Sequence, residues 1–433
     1  MKCPPTMVIV LLRATKTKEE GIMGEFPQDR IITLDFESQF RVTLASSNFA
    51  AIMKAFLLLL PQFLEDFFQK VLVGFAEYEM SLPRKSFACT CCGNDRDFVW
   101  KTRHGKATKL LTWFRWITLK QLQVVCKSCG HKQYITRTLL GMEPKQRVPD
   151  ATRRKLALMG ALTSYRVSAK MGQMFGWAVD KMTIWRSVQR VGQQMEFLLD
   201  EKEKPHGEAD GTGIGITGIA KRGKELKVLV QYKKGGGIRV AGLDIGPYNG
   251  SWDNLFRKNL EIIKKFTRPF LLVTDGDTAI FESLKEKVKI LIQRCLWHIP
   301  YQGRYVLWQD KVPRKSADWL HVIAELMEIC AIRSLVDCPE TILAMIESKR
   351  RRLDQVIEFC RQKNYSHTVS YLENARGDMF TALENRLTGK TTSRVERVMR
   401  TVNMRVNVSK WTTEGALNVT KVRLAYYYNG FDA

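Results

Sequence analysis

The spacing of apolar residues changes along the chain, and each change marks an element boundary. Alternating runs at Ile31–Phe36 and Phe40–Leu44 predict short strands, and residues 48–80 carry helical spacing. The apolar run Met7–Leu12 is too short to span a bilayer and is followed by Arg13. Ala55–Leu60 lies between Lys54 and Pro61, with Glu65 and Asp66 beyond. That pattern predicts a buried amphipathic helix, since a membrane span needs about 20 apolar residues. Alternation returns in Thr112–Val125, which predicts strands, and helical spacing returns over residues 150–199. After residue 205 come glycine-punctuated strands, among them Glu225–Lys233 and Gly237–Ile245. A helix over about Trp252–Phe266 precedes the apolar run Phe270–Val273, which leads into Thr274-Asp275-Gly276-Asp277. A long helical stretch covers about 299–385, and a last helix begins near Thr392. No repeat or low-complexity segment interrupts this order.

Length and charge narrow the picture. A chain of 433 residues with 45% apolar content predicts several domains with real cores. The formal net charge is +25 and the pI about 9.7, an excess that suits a polyanionic partner, because Lys and Arg release counterions from phosphates. The excess is local. Residues 1–80 hold 8 Lys/Arg against 10 Asp/Glu, whereas residues 81–190 hold 22 against 5. That basic tract is the expected nucleic-acid face. With no leader and no membrane span in the pattern, the expected location is the cytoplasm, in association with the nucleoid.

Four of the ten cysteines form two CxxCG knuckles, Cys89-Thr-Cys-Cys92-Gly93 and Cys126-Lys-Ser-Cys129-Gly130. Zn²⁺ takes four thiolates in a tetrahedron, and two tight turns supply two each. The expected ligands are Cys89, Cys92, Cys126 and Cys129, with Cys91 as a spare. The 33 residues between the knuckles suit two or three strands. Lys101, Arg103, Lys106, Lys109, Arg115 and Lys120 lie among Trp100, Trp113, Phe114 and Trp116, a mixture suited to phosphate contact and stacking.

Residues 146–200 read as a helix-turn-helix. Asp150 caps a helix through Leu162, a second runs Val167–Phe175, Gly176 and Trp177 break it, and Asp180 caps a third through Gln194. On the third helix Lys181, Thr183, Arg186, Gln189 and Arg190 form the expected DNA-reading face, and Ile184, Trp185, Val188 and Val191 the buried side. An ordinary helical bundle is the alternative.

Acidic residues recur at the strand ends. His206-Gly-Glu-Ala-Asp210-Gly opens the first strand after residue 205, and Asp275 ends the Phe270–Val273 strand. Three meandering strands, a helix and a parallel strand ending in Asp resemble the ribonuclease-H-like nuclease core. Two carboxylates so placed can bridge a pair of Mg²⁺ or Mn²⁺ ions for phosphoryl transfer. The third acid is expected to be Glu396, within Thr392-Ser-Arg-Val-Glu396-Arg; Glu373, Asp378 and Glu384 are its rivals. Asp277 is a candidate accessory carboxylate, and Asp244 reads as a strand-end residue.

Asp210-Gly, Asp275-Gly, Gln293-Arg-Cys295-Leu-Trp-His298 and Ser-Arg-Val-Glu396-Arg, in that order, resemble the transposases of the Mutator-like superfamily and their bacterial and archaeal insertion-sequence relatives. The likeness covers roughly residues 86–430, and the tail Trp411-Thr-Thr-Glu-Gly-Ala-Leu shares it. It implies a DDE transposase that binds element ends and catalyses metal-dependent cleavage and strand transfer. Asp210, Asp275 and Glu396 would be the catalytic, Mg²⁺-binding acids. Cys295 and His298 would be accessory to them, and a helical insertion would fill the 121-residue step from Asp275 to Glu396. The implied partners are double-stranded DNA, as terminal inverted repeats and target, and further copies of the chain on that DNA; no membrane is implied. The alternatives are a domesticated DNA-binding regulator without catalysis and a ribonuclease-H-like nuclease that hydrolyses only. For Cys295 and His298 the competing reading is a buried thiol and a packed imidazole. The expected architecture is multidomain α/β: 1–80 an α+β segment without assigned role, 81–145 a zinc ribbon, 146–200 a helix-turn-helix, and 201–433 a ribonuclease-H-like catalytic core with its insertion at about 299–385.

Overall fold

In the computed structural model the described residues are 7–8, 41–42, 48–112, 115–174, 177–219, 224–248, 252–284, 290–332, 339–387, 391–407 and 409–431. The expected strand Ile31–Phe36, the aromatics Trp113 and Phe114, and Phe175 and Gly176 lie outside them. The fold is mixed α/β and divides into two compact units, one of Met1–Leu156 with Tyr165–Ile184, the other of Ala157–Ser164 with Trp185–Asp432. The 146–200 segment is thereby shared between the units. No helix among the described residues is long and apolar enough to cross a membrane.

The first unit opens with β1 (Met7–Val8) paired antiparallel to β2 (Arg41–Val42), so a strand does form inside the Phe40–Leu44 run. The helix α1 (Phe49–Ser81) follows, capped by the Asn48 side chain, which accepts from the Ala51 N–H at 2.8 Å. Next come β3 (Phe98–Thr102), β4 (Ala107–Leu111), β5 (Trp116–Lys120), β6 (Gln123–Cys126), β7 (Lys132–Tyr134) and α2 (Thr136–Leu139). The strands β3, β6 and β7 form one antiparallel sheet, and β4 with β5 a separate hairpin. Four strands therefore start between the knuckles, more than the spacing suggested, because β4–β5 is inserted between the paired β3 and β6. Leu64, Leu72 and Ala76 of α1 pack on Ile117, Leu119 and Val124. Among the described residues, it is this later part of α1 that packs on the ribbon core. Phe56, Leu57 and Leu58 are exposed, which corrects the expectation that Ala55–Leu60 is buried. α1 also closes the outer edge of β5: Glu65 accepts from the Thr118 N–H at 2.8 Å, and Gln69 accepts from the Lys120 N–H at 2.7 Å.

Three helices follow, α3 (Asp150–Leu162), α4 (Tyr165–Met174) and α5 (Lys181–Gln194). Asp150 is already inside α3, since the Arg153 N–H bonds the Pro149 carbonyl at 2.8 Å. Asp180 does cap α5, its carboxylate accepting from Met182 and Thr183 N–H at 2.7 and 2.9 Å. Leu156, Ala169, Val179 and Ile184 share a small core with Leu111 of β4.

The second unit is built on β8 (His206–Gly213), β9 (Glu225–Tyr232), β10 (Ile238–Gly246), β11 (Phe270–Thr274) and β12 (Ile290–Arg294), in spatial order β10-β9-β8-β11-β12. β8, β9 and β10 run antiparallel in series, whereas β11 is parallel to both β8 and β12. The expected Trp252–Phe266 helix is two, α6 (Trp252–Arg257) and α7 (Leu260–Lys265), and α8 (Thr278–Leu284) links β11 to β12. Asn259 sits at the break, fully buried, and ties it to the Leu199 N–H at 2.8 Å. Ala209, Leu229 and Leu272 face Trp252, Phe256 and Ile263 in one core. The five helices α9 (His298–Gln309), α10 (Ala317–Cys330), α11 (Pro339–Gln362), α12 (Ser366–Arg376) and α13 (Thr381–Glu384) have a core of their own. The chain ends with α14 (Ser393–Val406) and α15 (Thr413–Tyr428).

Candidate active site and metal centre

The cysteine site closes on itself. Cys89 and Cys129 sulfurs are 3.6 Å apart, Cys92 and Cys126 sulfurs 3.7 Å, and all four lie within 4.8 Å of one another. A tetrahedron with zinc–sulfur bonds of about 2.3 Å has edges of about 3.8 Å, so the four fit such an ion. The two knuckles are built alike. Gly93 N–H bonds the Cys89 carbonyl and Gly130 N–H bonds the Cys126 carbonyl, each at 2.9 Å. The glycines adopt φ of +74° and +71°, which other residues reach only at a cost. Backbone N–H donation from Cys92 chiefly brings Cys89 down to about 6. Cys129 is pushed up to about 12: the His131 N–H favours its thiolate, but burial and the three neighbouring sulfurs outweigh it. Four crowded sulfurs cannot all ionise without a cation. Cys91 is exposed and stands outside the set.

Around this centre Lys101, Arg103, Lys106, Lys109 and Lys120 are exposed. The aromatics among them are partly structural. Trp100 packs against the ribbon core, and Trp116 joins the small core at α4–α5, donating Nε1–H to the Ala178 carbonyl at 3.0 Å.

On α5, Lys181 and Arg186 are exposed and Arg190 is half-buried. Two expectations need correction. Trp185 is exposed, because it lies off the stripe formed by the buried Ile184, Val188 and Val191. Gln189 turns inward, accepting from Asn418 Nδ2 at 2.9 Å, where Gly192 lets α15 come close. Thr183 is half-buried, and its hydroxyl donates to the Asp180 cap at 2.9 Å.

The acids gather in the second unit. In β8, side chains alternate between faces: Ala209 enters the core under α6, so Glu208 and Asp210 face the other way. The register pairs Val273 with Glu208, and continuing it by two residues sets Asp275 level with Asp210. Glu396 arrives in the first turn of α14. Its position is fixed by Glu208, which is fully buried and accepts the Arg394 and Val395 N–H groups at 2.9 and 2.7 Å. Tyr232 donates its hydroxyl to the other Glu208 oxygen. Burial raises the Glu208 carboxyl, against the pull of these donors.

The Cys-x-x-His pair divides its labour. Cys295 is buried just past β12; its N–H bonds the Thr274 carbonyl at 2.7 Å, and its sulfur accepts the Thr392 N–H at 3.3 Å. It thus ties the end of β11 to the start of α14. His298 faces the acids, with Nε2 3.7 Å from Glu396 Oε1 and Nδ1 3.4 Å from the Thr392 hydroxyl. Burial alone would lower His298, but the Cys295 sulfur and the charges of Asp275 and Asp210 raise it. Asp210 is pushed up to about 7, first by burial and then by Asp275, with Glu396 adding to the repulsion. Asp275 is raised as well, by burial and by Asp277. Among the described residues the three carboxylates do not reach the mutual 4.8 Å spacing of the four sulfurs.

The rival third acids are engaged elsewhere. Asp378 forms a buried two-point ion pair with Arg294, at 2.8 and 3.1 Å; Glu373 pairs with Arg361 and Glu384 with Arg350. Asp277 accepts Trp252 Nε1–H at 2.9 Å and donates its N–H to Asp275 Oδ1 at 3.0 Å, so it orients rather than joins the acids. Asp244 pairs with Lys227 in register near the end of β10. Glu208, Thr392 and Glu225 have no assigned role in the sequence reading. Glu225 lies against Gly211 and is held by the fully buried Lys227 at 3.3 Å. The one sequence signal for Glu208 was its place two residues before Asp210, on the same strand face.

A scan against protein-family models and a search of curated proteins each returned no match.

Proposed function

We propose that the chain is a DDE transposase that binds the ends of a DNA element, cuts them and joins them to target DNA. The observation that carries the reading is the gathering of Asp210, Asp275 and Glu396, from β8, the end of β11 and α14, around His298. Three antiparallel strands followed by two parallel ones, in the order β10-β9-β8-β11-β12, support a ribonuclease-H-like core. The donor chemistry fits hard divalent cations. The half-buried carboxyls of Asp210 and Asp275, raised first by burial and then by neighbouring acids, gain most from such an ion. Asp210, Asp275 and Glu396 would hold Mg²⁺ or Mn²⁺, and the ions would supply an activated oxygen nucleophile and charge stabilisation at phosphorus.

The chain's own residues supply the rest. Glu208 and Thr392 fix the start of α14, and His298 balances charge beside Glu396. The four-cysteine centre, taken to hold zinc, stiffens the exposed lysines of the ribbon. Lys181 and Arg186 of α5 are the residues left to read DNA in the major groove.

The test uses labelled duplexes ending in the inverted repeats that flank the coding sequence. With Mg²⁺ or Mn²⁺ the chain should release a 3′-hydroxyl end and join it to a second duplex. Cleavage without joined product would make it a nuclease, and specific binding without cleavage a regulator.

A further inference from the structure

The helix α9 begins at His298 and carries an exposed column of aromatic rings. Trp297, Tyr301, Tyr305 and Trp308 are 56%, 42%, 58% and 72% exposed. They recur at helical spacing, so they share one side of α9. Trp297 and Tyr301 stack at 5.3 Å with planes 16° apart, and Tyr305 follows at 6.4 Å. Trp297 also meets the His298 ring edge-on at 5.0 Å. The column therefore starts beside the acids and runs away from them for about 16 Å, at about 1.5 Å per residue.

Core packing does not explain the rings, because the buried side of α9 is supplied by Ile299, Gly303 and Leu307. The surroundings are cationic. Arg304, Lys311, Arg314 and Lys315 are exposed and form no ion pair among the described residues. The one acid of the stretch, Asp310, is used up on the N–H groups of His367 and Thr368, at 2.9 and 2.8 Å. Lys311 and Lys315 hold left-handed backbone, φ 59° and 67°, which lysine rarely adopts. At the far end, Trp308, Lys311, Arg314 and His367 line an open cavity of about 710 Å³ without a carboxylate.

A row of exposed aromatic rings, with cations alongside and the one acid of the stretch engaged by backbone donors, matches a polyanion whose bases are free to stack. In a duplex the base faces are already covered, so such a column adds nothing to its binding. Resting on the DNA-processing reading above, we propose that α9 is the seat of an unpaired DNA strand leading away from the acids, its bases stacked on Trp297, Tyr301, Tyr305 and Trp308 and its phosphates near Lys311 and Arg314.

The test measures anisotropy of a fluorescent 12-nucleotide single strand and of a duplex of the same sequence with the full-length chain at fixed salt. Y305A/W308A should weaken the single strand about tenfold or more and leave the duplex within twofold, while W308F restores most of what W308A loses. Equal losses on both substrates, or none on the single strand, would overturn the proposal. So would a change in sedimentation of the double variant without a change in strand binding, because the rings would then form a protein interface. The two readings fail separately. A chain that cuts no DNA but loses single-strand affinity with the rings keeps the α9 seat. A chain that cuts and joins, indifferent to the rings, keeps the transposase.

Discussion

The cysteine centre and the acid cluster collect charged ligands in opposite ways. At the first, four sulfurs come from two short turns of the same design, each closed by its own backbone hydrogen bonds, and all four lie within 4.8 Å. At the second, three carboxylates come from two strands and a helix far apart in sequence, and they stop short of that spacing. The difference is chemical. The crowded thiols do not all ionise: Cys89 is brought down to about 6 while Cys129 is pushed up to about 12, so their cage can close before an ion arrives. Carboxylates titrate lower and repel, so their cluster stays open and its order must come from other groups: Glu208 on the α14 N-terminus, Thr392 on Cys295, Asp277 on Asp275. A closed cage suits a structural ion, and an open one leaves room for a substrate.

The strongest way to break this comparison is to remove the ion from the closed site. Cys126→Ser with Cys129→Ser should reduce bound zinc from one per chain to none, by elemental analysis. Structural zinc contributes on the order of 10 kcal/mol, so the segment from Phe87 to Met142 should lose protection in hydrogen exchange. Undiminished zinc in the double variant would mean that the sulfurs are not its ligands.

The open site should respond in activity and not in folding. Asp210→Asn, Asp275→Asn and Glu396→Gln should each lower strand cleavage on the order of a thousandfold or more, with the melting temperature of the two Asp variants held or raised. Wild-type cleavage by Asp210→Asn would refute the acid assignment. Melting temperature adds a second check, since removing a repelled buried charge cannot destabilise as a cage opening does.

Glu208→Gln sharpens the contrast. An amide offers one acceptor oxygen, so either the α14 N–H groups face an NH2 and lose their acceptor, or the Tyr232 hydroxyl must reverse and its own proton loses its acceptor, at about 1–3 kcal/mol. Cleavage should fall about 10- to 100-fold while duplex affinity is unchanged. An equal fall in duplex affinity would show that Glu208 supports the fold at large and not the placement of Glu396.

The smallest effect is on pH. Asp210 titrates at about 7 in the fold and near 4 when unfolded, so the metal-free chain loses stability as pH rises from about 4 to about 7. His298, raised in the fold, acts in the same direction: its contribution is complete below about 6.5 and is lost as pH rises through its folded value. Mg²⁺ must displace the Asp210 proton below pH 7, so its affinity should climb about tenfold per unit up to about 7 and then level off. Calorimetric titration at several pH values would expose a flat profile.

Local features were legible in the sequence, and features set by distant packing were not. Both knuckles announce themselves because ligands and turn glycines lie within five residues. The place of Asp275 at a strand end followed from the apolar run Phe270–Val273, whereas Asp210 stood in a glycine-punctuated strand with no such run beside it. Glu208 passed as an ordinary polar residue, because its partners, the N–H groups of Arg394 and Val395, lie far along the chain. Gln189 misled for the same reason: helical spacing puts it beside Arg186 and Arg190, but Asn418 claims it. The break at Asn259 is likewise set by the Leu199 backbone, which no local pattern announces.

The edge of β5 bears on how the protein can be taken apart. Glu65 and Gln69 occupy the hydrogen-bonding groups of Thr118 and Lys120 that would otherwise face water. A fragment begun at residue 82 would therefore carry a bare strand border, ready to zip onto the same border of another molecule. Its insolubility would say nothing about whether the cysteine centre folds. Fragments meant to isolate the basic first half should begin at or before Asn48, keeping α1 as the sleeve that makes β5 an interior strand.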